Sequence, residues 1–98
     1  MIPGFKETAE KMIKTVEAKN HDYGENEDPF NNFRNCERMG ICSAEKGIMV
    51  RMCDKMSRIS TLLEKPGKVE DEKLADTCID LAAYALILKQ MREYDKNE

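Results

Sequence analysis

Two sets of ionisable side chains stand at helical spacing in this 98-residue chain. Asp76, Asp80 and Tyr84 recur at every fourth residue, which stacks them one turn apart on a single helical face. Two carboxylates so placed repel, by a few tenths of a kcal/mol when exposed and by more when partly buried, so a cation is expected beside them. Upstream, Arg51, Lys55 and Arg58 recur at intervals of four and three, with Asp54 one turn before Arg58. Pro66-Gly67 makes the two segments antiparallel neighbours, which brings the basic set within reach of the acids. Three chemistries are open to such a constellation. The cations can simply neutralise Asp76 and Asp80 in an interhelical ion-pair network. Asp54, Asp76 and Asp80 can hold Mg²⁺ against a nucleotide's phosphates and activate water for pyrophosphate cleavage. Alternatively, Arg51, Lys55 and Arg58 grip phosphates through charge-assisted hydrogen bonds while the acids take ribose hydroxyls or base amines.

A loop adds ligand-reading groups. Tyr23, Phe30 and Phe33 fall within eleven residues, interleaved with Asp22, Asn31, Asn32 and Arg34. Aromatic faces stack on nucleobases, Asn amides read their hydrogen-bonding edges and Arg34 can meet a phosphate. Phe30 and Phe33 also suit a plainer task, anchoring the loop on the core.

The elements that would position these groups are helical. Phe5, Ala9, Met12 and Val16 make one stripe of a helix from about Pro3 to Lys19, with Pro3 in its first turn. Asn20 to Pro29 has turn composition and reads as a loop. Phe30, Phe33 and Cys36 fit a short helical segment that Gly40 ends in the left-handed conformation. Ser43 is placed to cap a long helix whose buried stripe is Met49, Met52, Met56, Ile59 and Leu63, and Pro66-Gly67 stops it. Glu70, Asp71 and Glu72 suit the positive end of a third long helix, with Leu74, Cys78, Leu81, Ala85 and Leu88 as its inner stripe and Tyr94 near its end. No alternating β-branched run and no internal repeat is present. The expected fold is all-α: a small bundle of three main helices plus a short segment, one domain over residues 1–98. Leu81 to Leu88 is apolar on every side and wants cover all round, which three helices do not supply, so a homo-oligomer packing this segment against a symmetry mate is expected, the alternative being cover from the short Phe30 to Met39 segment.

Composition narrows the partners. Hydrophobic residues make up 41% and charged residues 36%, enough for a core inside a heavily ionised surface. The net charge of −3 provides no broad basic field for a nucleic-acid polymer. The longest apolar run is far short of the roughly 20 residues that cross a bilayer, and the amino terminus lacks a secretory pattern, so a cytoplasmic location is expected. Four cysteines at 36, 42, 53 and 78 match neither a paired zinc motif nor a disulfide scaffold, and Cys53 and Cys78 read as small core hydrophobes.

The segments Lys19-Asn20-His21-Asp22-Tyr23-Gly24, Phe30-Asn31-Asn32-Phe33, Arg51 to Arg58 and Asp76 to Ala85 together resemble the small phage and prophage proteins called nucleotide modification associated domains. Those are similar in turn to the all-α nucleoside triphosphate pyrophosphohydrolases of the MazG type, whose helices carry Mg²⁺-binding acids. The resemblance implies a nucleotide ligand and, for a phage-encoded chain, the host cytoplasm. MazG-type enzymes present two acids three residues apart on one helix and two more on the next. Here Asp54 is followed by Lys55 and Arg58, a change that weakens Mg²⁺ binding and favours a bare phosphate. Binding without turnover, in the manner of phage proteins that sequester cyclic or ADP-ribose-type immune signals, therefore ranks ahead of Mg²⁺-dependent hydrolysis. A structural, helix-mediated interaction protein ranks third. The ligand-binding set on the first reading is Asp22, Tyr23, Phe30, Asn32, Phe33, Arg34, Arg51, Lys55 and Arg58.

Overall fold

The computed structural model describes residues 1–23 and 28–97, the side chains of 20–23 excepted. It is all-helical, with no strand among the described residues: α1 (Phe5–Tyr23), a single turn of 3-10 helix (Asn31–Phe33), α2 (Asn35–Arg38), α3 (Ala44–Leu63) and α4 (Lys68–Lys96). At 1.5 Å per residue α4 is about 43 Å long, and it sets the 44 Å long dimension of the molecule.

Local chemistry explains the punctuation. Ser43 Oγ accepts from the Lys46 amide at 3.1 Å and caps α3. Gly40, at φ +74°, ends α2 in a paired-bond cap: Ile41 N donates to Cys36 O and Gly40 N to Glu37 O. Two boundaries differ from expectation. Pro3-Gly4 forms a turn before α1 and does not enter it, because Gly4 takes φ +76°. At the other end α1 runs on through Tyr23, so His21 and Asp22 lie on helix where a loop was expected.

The α3–α4 hairpin is the frame, and the inner faces of both helices coincide with the expected stripes only in part. On α3 the buried residues are Ala44, Ile48 and Leu62, whereas Met49, Met56 and Leu63 are 55%, 60% and 66% exposed. On α4 Thr77 and Met91 are buried, while Cys78 and Ala85 are exposed and Leu74, Leu81 and Leu88 only half-buried. Thr77 is tolerated there because its hydroxyl donates back to Lys73 O at 2.7 Å. Met52 and Leu88 of the expected stripes do pack against the core and Ile59 is half-buried, so the inner faces overlap those stripes along one edge and leave the other edge, Met49, Met56, Leu63, Cys78 and Ala85, turned outward. The core proper is Ala44, Ile48 and Met91, with Phe30, Phe33, Tyr84 and Ile87 packed around it. Among the described residues no helix is long and apolar enough to cross a membrane.

Candidate ligand-binding groove

The loop after α1 is fastened to the hairpin by one arginine. Arg34 donates from Nε to Asp28 and from its Nη2 to Asp95 Oδ1 at 2.8 Å, which ties the 3-10 turn to the last turns of α4. The two carboxylates raise the guanidinium's pKa further, and the Arg34 hydrogen bond holds the Asp28 carboxyl below its ordinary value. Phe30 meets Tyr94 edge-on at 5.4 Å, and Arg38 bonds to Asn31. This clamp sets Phe30 and Phe33 against the core, the anchoring task that the sequence allowed them.

Beside the clamp a groove of about 640 Å³ opens between α1, the 3-10 turn and α4, a volume within the range that small ligands fill. Met12, Val16, Ile79 and Ile87 make its apolar wall, and Asn32, Arg51 and Asp80 are among its polar groups. At its edge the Arg51 guanidinium lies over two rings, 5.2 Å from the centre of Phe33 and 5.9 Å from that of Tyr84. Those rings meet edge to face at 6.5 Å. Among the described residues no carboxylate pairs with Arg51, so a surface cation–π contact of about 0.5–1 kcal/mol is what holds it. A phosphate offering charge-assisted hydrogen bonds competes well with that.

The charged constellation is partly assembled. Lys55 Nζ lies 3.4 Å from Asp80, both partly buried, and Lys11 Nζ lies 3.9 Å from Asp76, both well exposed. Each acid of the repelling pair therefore has its own cation, and the one at Asp76 comes from α1, where sequence reasoning had not looked. Lys11 stands one residue before the Met12 of the α1 stripe, a spacing that offers no separate signal.

Of the sequence-derived binding set, Phe30, Asn32, Phe33 and Arg51 line the groove, and Lys55 reaches it through Asp80. Arg34 is taken up by its two carboxylates, and Arg58 is exposed and outside the lining. The side chains of Asp22 and Tyr23 lie outside the described residues. Among the described residues no three His, Cys, Asp or Glu side chains gather closely enough to hold a metal ion, so Asp54, Asp76 and Asp80 do not form such a group. All four cysteines are free. No protein-family model, curated protein or solved structure matches this chain.

Proposed function

We propose that this chain is a small nucleotide-binding protein that sequesters a nucleotide-derived signal, of cyclic or ADP-ribose type, without turning it over. The observation that supports the reading is the edge of the groove where Arg51, without a carboxylate partner among the described residues, lies over two aromatic rings next to the Lys55–Asp80 pair. An apolar trough with stacking rings accommodates a base and its sugar, Asn32 and Asp80 offer hydrogen-bond partners for polar edges, and Arg51 supplies the phosphate contact. Arg34 acts as the loop's clamp in this account and takes no phosphate. The same proposal includes self-assembly of the chain and the phage-type setting that the resemblance implies.

Incubation with a panel of nucleotides, with and without Mg²⁺, followed by heat denaturation and analysis of the released small molecules tests it. The expected result is one intact nucleotide recovered per site, unchanged by Mg²⁺. Product accumulating beyond one equivalent would replace this reading with the Mg²⁺-dependent pyrophosphohydrolase alternative. Failure of every cyclic and ADP-ribose-type member to bind would leave the structural interaction protein.

A further inference from the structure

The folded chain exposes 7556 Å², whereas a monomer of its 11.3 kDa mass is expected to expose about 5,700 Å². Its radius of gyration of 15.1 Å likewise exceeds the roughly 12.6 Å expected for this length. An excess of about 1,800 Å² is twice what one partner of a standard interface buries and falls in the range of obligate dimers. Exposed large apolar side chains occur at the amino terminus (Met1, Ile2, Phe5), on α1 (Ile13), around α2 (Met39, Ile41) and on the hairpin, where several share one face. Helix α1 covers one side of the α3–α4 hairpin, where Lys11 meets Asp76 and the groove holds Arg51, Ile79 and Ala83. Opposite, Met49, Met56 and Leu63 of α3 and Cys78 and Ala85 of α4 are exposed, none of the described residues covering them, with Leu74 and Leu81 half-buried between them. On a wheel of about 100° per residue these are the two stripes that the sequence marks for burial, and they share one side of an antiparallel hairpin.

We infer that this two-helix face, on the side away from the groove, docks a second copy of the chain and closes a four-helix bundle about a two-fold axis. The charges at its ends select a copy of itself. The basic end carries Lys46 at the start of α3 and Arg92 near the end of α4, the latter bonded to Glu45 at 2.8 Å. The acidic end carries Glu64 at the end of α3 with Glu70 and Asp71 at the start of α4, partly offset by Lys65 and Lys68 beside the turn. Between them the stripes hold no charge. A two-fold axis perpendicular to the hairpin sets the basic end of one copy on the acidic end of the other, whereas the parallel arrangement sets like on like. The interface buries Cys53 and Cys78, both exposed in the single chain, which restores the core role their helical positions predict. It leaves the groove open and is independent of the ligand reading.

Sedimentation velocity of the intact protein at micromolar concentration gives the test. The expected mass is twice 11.3 kDa, or an even multiple of it. Met56→Glu and, separately, Leu63→Lys are expected to yield monomers with helical circular dichroism retained, since both side chains are already mostly exposed in the single chain. Ile13→Glu, on the groove side, should leave the mass unchanged. Alkylation of Cys53 and Cys78 should be several-fold slower in the wild type than in Met56→Glu. Lys46→Glu should loosen the dimer several-fold, and adding Glu64→Lys should restore it. A wild-type monomer, or assembly that persists in both Met56→Glu and Leu63→Lys, overturns the face; no effect of the charge exchange overturns the two-fold orientation.

Discussion

Two arginines, Arg34 in the clamp beside the groove and Arg51 at the groove's edge, show how the same side chain takes opposite roles. Arg34 has two carboxylate partners and Arg51 has two rings. Hydrogen bonds to charged groups contribute about 1.5–3 kcal/mol each before solvent screening, and these are partly exposed, so Arg34→Met is expected to cost about 1–2 kcal/mol in total. Lysine at this position should not rescue it, because the fork geometry that reaches both acids is lost. The loss should depend on pH. Asp28 has its carboxyl pKa lowered in the folded state, so its contribution is present above the unfolded value of 3.8 and disappears as pH falls through the lowered folded value. Thermal melts of wild type and Arg34→Met should therefore differ most near neutrality and converge in acid. Arg51→Ala, by contrast, should lower the melting temperature by only a few degrees, the worth of a surface cation–π contact, and weaken nucleotide binding by at least about tenfold, roughly the worth of one charge-assisted contact. Titration calorimetry of the two arginine variants separates the clamp from the contact.

At the scale of elements, the end of α2 and the start of α3 were legible in the sequence, whereas the ends of α1 and the rotation of α3 and α4 were not. Ser43 and Gly40 act locally, through one side-chain oxygen and one positive φ, so their roles follow from residue type and position alone. Ser43→Ala is expected to cost about 1 kcal/mol, and Gly40→Ala about 1–2 kcal/mol from its left-handed backbone, both measurable by urea denaturation. Gly47→Ala is a sharper case. An added methyl would come within 2.5 Å of Cys36 Sγ, at the point where α2 rests on α3, so overpacking of about 1–3 kcal/mol opposes a gain of about 1 kcal/mol in helix propensity, and a net loss of about 0–2 kcal/mol is expected. The rotation of α3 and α4 was hidden because both helices carry two adjacent apolar stripes. Ile48, Met52, Ile59 and Leu62 can face a neighbour as well as Met49, Met56 and Leu63 can, and periodicity does not say which neighbour belongs to the same chain. Lys55 tips the choice, since facing α4 brings it to Asp80. The continuation of α1 to Tyr23 was masked by Asn20, His21 and Asp22, whose weak propensity the preceding helix overrides.

The whole molecule is a hairpin with two sides. One side holds α1, the clamped loop and the groove; the other holds uncovered apolar stripes. The all-round apolar character of Leu81 to Leu88 is explained by three directions of contact: Tyr84 and Leu88 toward the core, Ala83, Leu86 and Ile87 toward the groove, and Leu81 and Ala85 toward the open face. The sequence carried the demand for cover but not its source, because apolar periodicity does not say what covers a stripe. Putting ligand and assembly on separate sides predicts that a monomeric Met56→Glu variant still binds nucleotide. The most direct measurement of the central claim is an amide chemical-shift map of the intact protein with the nucleotide recovered from the panel. Shifts should concentrate at Asn32, Phe33, Arg51, Asp80 and Tyr84, together with Met12 and Val16 of α1. Shifts centred on Met56 and Leu81 instead, or none at saturating nucleotide, would contradict it.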